Sequence, residues 1–334
     1  MFYIDNLNKI IKNLNEKNTD LIIVISSFHK SFVEYRSIDK IETIKSIFNF
    51  LKEKTYNKML LMYPAFTHSF VKSGIFNVKK TRPEQMGALP LLAFKDDDFL
   101  NLAVNMFDEL EKNSFRKNKL IHTYKENQYQ EGVLEDYAYF SKASMKLFQA
   151  TGLESYFNFS KKITDQALEI YKDNNSDLLF YSNNEELFSK VISIDDGVIP
   201  SPNSIIAEQL YNIGHVIFDD YYLDLSDKMV SSVKDIIDGN INSYSVWANN
   251  ILNRVESFYE IAVIGPNAKD VTDNISKTFI PNTIVVQSNI ESEIPLFIDR
   301  YFEDETYIYV CQNKTCQRPE TNIKLALDQV PYIY

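Results

Sequence analysis

Between Phe99 and Val255 apolar residues return every three or four positions, segment after segment, and this rhythm limits the chain to stacked helices more than any other feature does. Phe99, Ala103, Met106 and Leu110 form one stripe behind Asp96-Asp97-Asp98, an acidic run suited to the positive end of a helix. Leu134, Tyr137, Ala138, Met145 and Phe148 form a second stripe, and Leu153, Tyr156, Ile163, Ala167 and Ile170 a third. Ile206, Leu210, Ile213 and Ile217 continue the series, followed by Leu225, Met229, Val233 and Ile236, then Trp247, Ile251 and Val255. Consecutive helices joined by short loops pack as antiparallel hairpins, in a bundle, a solenoid or a toroid. Glycine usage agrees: 8 in 334 residues is about a third of the average, which suits long helices.

The flanks read differently. Leu21-Ile22-Ile23-Val24-Ile25 is short and β-branched, a strand or a buried helix turn. Ile38, Ile41, Phe48 and Leu51 share a helical face; Met59, Tyr63, Phe66 and Phe70 share another, interrupted at Pro64. Residues 72–87 hold Gly74, Pro83 and Gly87 and read as a connection. Near the C-terminus, strand-like runs at Glu260–Ile264, Thr283–Val286 and Tyr307–Val310 enclose a helix-like piece from Lys269 to Phe279. The expected division is a divergent N-terminal helical segment (1–85), a helical-hairpin region (86–258) and a small α/β appendage (259–334).

Composition excludes several functions. Hydrophobic residues make up 45% and charged residues 24%, the range of a globular chain. A net charge of -11 repels phosphate backbones and anionic membranes, so neither nucleic acid nor a membrane is an expected partner. No G-x-G-x-x-G or G-x-x-x-x-G-K-[ST] is present, and no cofactor is expected. No secretory leader and no span of bilayer length is visible, which leads to the expectation of a cytoplasmic protein. Cys311 and Cys316, with four residues between them, allow a local disulfide or half of a metal site; the expectation is a reduced pair shaping a turn, and no metal.

Three segments in order carry a resemblance: Gly132 to Phe140 (GVLEDYAYF), Asp195 to Ser204 (DDGVIPSPNS) and Val310 to Pro319 (VCQNKTCQRP). With Glu260 to Gly265 and the Pro281-Asn282 step, they resemble the C-terminal part of the YyaL-like proteins, the bacterial relatives of the spermatogenesis-associated thioredoxin-domain proteins. The resemblance covers roughly residues 86–330. It implies a helical (α/α)6 toroid, similar to those of N-acylglucosamine 2-epimerases and six-hairpin glycosidases. The expected fold class is therefore mainly α, a shortened (α/α)6-type toroid with a small α/β C-terminal appendage. It is shortened because a full ring of twelve helices requires roughly 360 residues. Two departures stand out. No C-x-x-C and no cysteine before residue 86 mark a thioredoxin-like domain, and the family's Ser-Trp-Asn segment is absent. A separately encoded thioredoxin-like protein is an expected partner on that ground.

The resemblance points to a pocket at inner helix ends, with a small sugar as ligand. Glu135 and Asp136 are the candidate acid–base carboxylates there; helix capping is the competing reading. Tyr137 can stack on a sugar face, although aromatic residues at helical spacing commonly belong to a core. Asp196, Asn203 and Ser204 lie in a loop that enters a helix, where they can line the pocket or cap the helix. His122 precedes the Glu135 segment and is the histidine worth testing. His215 sits in an apolar stripe and reads as a satisfied core residue. The functional expectation is a carbohydrate-binding or carbohydrate-processing protein; the alternative is a non-catalytic scaffold.

Overall fold

A computed structural model describes residues 21–23, 60–62, 97–125, 128–183, 190–197, 199–237, 243–276, 278 and 280–331. The chain forms two compact units, Met1–Pro90 and Leu91–Tyr334. In the first, strands β1 (Leu21–Ile23) and β2 (Leu60–Met62) pair in parallel, Leu21 opposite Leu60. The apolar run at Leu60 is thus a strand where its spacing suggests a helical face. Short apolar runs satisfy both patterns, and pairing decides between them. The faces expected at 38–51 and 63–70 lie outside the described residues.

The second unit opens with helix α1 (Asp97–Asn113) and a small antiparallel sheet, β3 (Phe115–Arg116), β4 (Lys119–Lys125) and β5 (Gln128–Glu131). The β3–β4 turn is Lys117-Asn118, both at positive φ, the geometry a two-residue hairpin requires. Helices α2 (Leu134–Thr151) and α3 (Glu154–Ile170) form one hairpin, closed by Gly152 at φ 73°. Helices α4 (Pro202–Ile217) and α5 (Asp220–Ile237) form a second, α4 packs on α2, and α6 (Ser245–Val255) follows. The helical stripes bury largely as spaced: Leu134, Met145, Phe148, Ile163, Ala167, Ile206, Leu210 and Ile213 are fully enclosed. Two stripes end on the surface. Ile236 is 47% and Val255 74% exposed, because α5 buries Tyr222, Ser226, Met229, Val230, Val233 and Ile237, and α6 buries Trp247 and Asn250.

Small polar residues set how closely the hairpins pack. Ser141, Ser144, Ser160 and Thr164 are wholly buried between α2 and α3. Ser141 Oγ lies 2.7 Å from Thr164 Oγ1 and 2.9 Å from Ser160 Oγ, and Ser144 donates to Tyr156 O at 2.7 Å. Short side chains let the two backbones approach, and each hydroxyl finds a partner across the seam, so burial leaves none of them unsatisfied.

The C-terminal part is a four-stranded mixed sheet, with β6 (Tyr259–Ile264) between β7 (Thr283–Ser288, parallel) and β8 (Tyr307–Gln312, antiparallel), and β9 (Thr315–Cys316) outside β8. It also carries helices α7 (Ala268–Ile275) and α8 (Ile323–Leu327). Alternation along the strands splits its side chains between two cores. Ala262, Ile264, Ile284, Val286, Tyr309 and Cys311 join the core of the helices, whereas Tyr259, Ile261, Val263, Ile308 and Val310 pack on α7 and α8. The sheet is therefore built into the helical core on one face. Cys311 and Cys316, directly opposite in the β8–β9 register, form a disulfide. This corrects the expectation of a reduced pair: the Asn313-Lys314 turn, both residues at positive φ, folds the two cysteines onto each other.

At Gly265, φ is 137° and an added Cβ would sit 2.4 Å from Glu305 O; at Gly197 an added Cβ meets nothing within 4 Å. Gly265→Ala is expected to lower the urea-unfolding free energy by about 2 kcal/mol or more, and Gly197→Ala to change it by no more than about 0.5 kcal/mol. Burial, opposed by Arg254, pushes the Tyr211 hydroxyl up to about 12. A raised folded-state value makes the folded chain hold its proton longer, so this stability is present below the unfolded value of about 10 and is lost as pH climbs toward 12. Tyr211→Phe is expected to flatten that alkaline decline in unfolding measurements between those pH values.

Candidate functional site

The N-terminal ends of α2, α4 and α6 are tied together by the segments 178–183 and 190–201. Leu134 N–H donates to Tyr181 O (2.9 Å), Tyr181 N–H to Val191 O (2.7 Å) and Asp196 N–H to Ser243 O (2.7 Å). Helix N-termini leave backbone N–H groups without intrahelical partners and carry partial positive charge, so carboxylates gather there.

At the start of α2, Asp136 accepts the Val133 N–H at 2.9 Å and faces His122 from β4, whose Nδ1 lies 2.8 and 3.0 Å from its two oxygens. The pair is partly open to solvent, with side-chain exposures of 30% for His122 and 15% for Asp136. Glu135, one residue earlier, accepts the Tyr181 hydroxyl at 2.8 Å. Residues separated by 14 positions (His122, Asp136) and 46 positions (Glu135, Tyr181) thus meet at one helix end. Tyr181 carries no sequence signal of its own. It reaches Glu135 because its backbone is pinned to Leu134.

Buried aromatic residues support this helix end. Tyr137 is buried, accepts the Leu120 N–H at 3.0 Å and meets Tyr171 edge-on at 5.4 Å. Burial, opposed by the Leu120 hydrogen bond, raises the Tyr137 hydroxyl; burial also raises that of Tyr171, which donates to Gly132 O at 2.5 Å. Gly132 has no room for a side chain: a Cβ there would lie 2.8 Å from Leu120 O. The β4 strand that carries His122 is thereby held against the start of α2.

The second carboxylate cluster is committed to the backbone. Asp196 accepts Ser201 N–H (2.9 Å) and Val246 N–H (2.7 Å), with the Ser204 and Ser245 hydroxyls at 3.3 Å, so one side chain caps the entries to α4 and α6. Asn203 is fully buried and bridges Leu179 N–H, Leu179 O and Ser193 O. Ser204 is buried and donates to Ser201 O, whose own hydroxyl caps α4 through Ser204 N–H. Asp195 is exposed and accepts the Tyr244 hydroxyl at 2.6 Å, a bond that raises that phenol. The structure thus brings His122, Glu135 and Asp136 to one partly open surface. Tyr137, Asp196, Asn203 and Ser204 have their polar atoms engaged within the protein. Among the described residues no group of three or more His, Cys, Asp or Glu is placed to hold a metal ion, and no helix is long and apolar enough to cross a membrane.

No family model matches the chain. Over 205 residues it is 21% identical to spermatogenesis-associated protein 20 of Rattus norvegicus, 20% to that of Mus musculus and 21% to that of Homo sapiens, covering 57% of this chain and 26% of each relative. Over that stretch the chain is a distant homologue of spermatogenesis-associated protein 20. It spans about a quarter of the length of these relatives. A solved GH76 alpha-mannanase from Bacteroides thetaiotaomicron aligns with 63% of this chain and 62% of its own at 13% identity, with a TM-score of 0.35, too low to place the two chains in one fold.

Removal of the Asp196 carboxylate uncaps two helices together. Asp196→Ala is expected to cost about 2 kcal/mol in urea unfolding, whereas Asp195→Ala, at an exposed contact, is expected to cost no more than about 0.5 kcal/mol.

Proposed function

We propose that the surface formed by His122, Asp136, Glu135 and Tyr181 binds a small carbohydrate and moves a proton at one of its hydroxyls, within a shortened (α/α)6-type helical ring. The observation that carries this reading is the partly exposed His122–Asp136 pair at the N-terminal end of α2. A carboxylate that accepts from Nδ1–H holds the imidazole in one orientation and leaves Nε2 as the basic ring nitrogen, the arrangement of a general base. Glu135 and the Tyr181 hydroxyl add an acceptor and a donor at hydrogen-bonding distance from each other, the pattern that reads paired sugar hydroxyls. The two consecutive hairpins α2–α3 and α4–α5, with α2 packed on α4, support the ring. Asp196, Asn203, Ser204 and Tyr137 then act by fixing the loops around the pocket.

A second reading has its own support. Asp136 also caps α2, and Asp196 caps α4 and α6, so the carboxylates have structural employment without a ligand. In that case the chain is a non-catalytic interaction scaffold, for which a separate thioredoxin-like protein is a candidate partner.

Thermal-shift and calorimetric titration against monosaccharides, amino sugars, sugar phosphates and short oligosaccharides separates the two. A ligand at a hundred times its dissociation constant adds about 2.7 kcal/mol of stability. Binding is expected with the wild type and is expected to weaken about tenfold in His122→Gln, which leaves the Val133–Asp136 cap in place. Absence of any shift across the panel would overturn the carbohydrate reading and leave the scaffold.

A further inference from the structure

On the opposite side of the fold a buried acid–base pair stands behind the Cys311–Cys316 disulfide. Glu260 lies in the middle of the sheet with its side chain only 1% exposed, and His215 of α4, 11% exposed, meets it through Nδ1 and Oε1. The rings of Tyr211 and Phe258 flank the imidazole at 4.3 and 4.5 Å. Charged groups are costly in such surroundings unless every polar atom is satisfied. Here His215 Nε2 and Glu260 Oε2 are both buried and have no hydrogen-bond partner among the described residues. The pair therefore retains one donor or acceptor site on each residue that the described residues do not use.

The register shows what these sites face. Glu260 is directly opposite Cys311 in the β6–β8 ladder. Opposite residues of an antiparallel pair project to the same face, with Cβ atoms about 5 Å apart. Arg300 closes the third side: its guanidinium donates to Cys311 Sγ at 3.4 Å and to Leu296 O at 2.9 Å. Burial lowers the Arg300 guanidinium, and Tyr309 and then Glu260 oppose that shift, so the carboxylate's charge reaches the cation beside the sulfur. The two sulfurs differ in access. Cys311 is wholly buried and Cys316 partly exposed.

We propose that Cys311–Cys316 is a thiol-exchanging redox site, with Cys316 the attacked sulfur, Cys311 the leaving sulfur, and the His215–Glu260 pair its proton donor. The co-reactant is a dithiol. Its thiolate forms a bond to Cys316 Sγ while the Cys311–Cys316 bond breaks, and the electron pair goes to Cys311 Sγ. Arg300 stabilises that thiolate through its N–H, and the His215–Glu260 pair, as imidazolium and carboxylate, gives it one proton, is left as neutral imidazole and carboxylate, and regains the proton from water. The dithiol's second thiolate then attacks its own sulfur in the mixed disulfide and releases Cys316 as a thiolate, which takes a proton from water. The dithiol ends as a disulfide and the two cysteines as thiols, so two electrons pass to the protein. The reverse sequence returns them.

The direction of the mutational effect distinguishes chemistry from packing. A buried structural disulfide is slow to exchange until the protein opens, so a variant that only loosens the core speeds reduction. Loss of the proton donor slows it. The test is reduction by dithiothreitol, quenched with iodoacetamide and counted by mass spectrometry, on the native full chain and on the chain unfolded in guanidinium. The native wild-type disulfide is expected to open at least as fast as the unfolded one. Native Glu260→Gln is expected to open at least about tenfold more slowly than native wild type, with equal rates once both are unfolded. A native wild-type rate about tenfold or more below the unfolded rate would overturn the proposal, and it needs no variant to fold. An unchanged or faster native rate in Glu260→Gln would overturn it as well.

Discussion

Strand Tyr259–Ile264 is buried along its whole length and on both faces, and the rest of the second unit is arranged around that burial. A strand with water on neither side must satisfy every backbone group through neighbouring strands. It does so with β7 on one edge and β8 on the other. Its alternating side chains then decide which residues meet the helices and which meet α7 and α8. From β7, Gln287 donates to Gln149 O and Ala150 O and so holds the C-terminal turn of α2. From β6, Glu260 reaches α4 through His215. Helices α2 and α4 are thus both fixed at the sheet, and their N-terminal ends, with the carboxylates, lie away from these contacts.

At those opposite ends one electrostatic fact serves two purposes. Unpaired N–H groups and aligned peptide dipoles attract carboxylates whether or not a ligand is bound. Asp196 follows this to completion, with its oxygens on two backbone N–H groups and two hydroxyls. Asp136 follows it in part. One oxygen receives Val133 N–H, and both lie within reach of the His122 imidazole. The contrast between these residues, adjacent to similar turns and similar helices, comes from what the neighbouring chain delivers: backbone donors to Asp196, and a partly exposed titratable ring to Asp136.

Much of the fold was legible because apolar spacing reports burial directly. Helices at 134–151, 154–170, 202–217 and 220–237 lie where the stripes of Leu134, Tyr156, Ile206 and Met229 place them. Less was legible at the ends of stripes, where Ile236 and Val255 continue the spacing onto the surface because no described element covers them. The serine seam between α2 and α3 was not legible at all. A serine gives the same signal on a wet face and in a tight helix crossing, and only the partner's Ser160 and Thr164 distinguish the two. The same holds at the candidate site: Glu135, Asp136 and His122 stand out as residue types, but Tyr181 does not.

By itself, then, the sequence determined the run of helices from Leu134 to Ile237 and the strand runs near the C-terminus, most of their apolar faces, and which short loops hold carboxylates beside helix starts, since these follow from local periodicity and backbone chemistry. Only the tertiary structure decided partners. It placed the strand at Leu60 beside Leu21, closed Cys311 onto Cys316, set His122 on Asp136 and His215 on Glu260, and turned Asn203 and Ser204 inward. The reason is physical: an apolar stripe specifies that a face must be covered but not by what, and a polar side chain takes its role from donors and acceptors that distant parts of the chain bring to it.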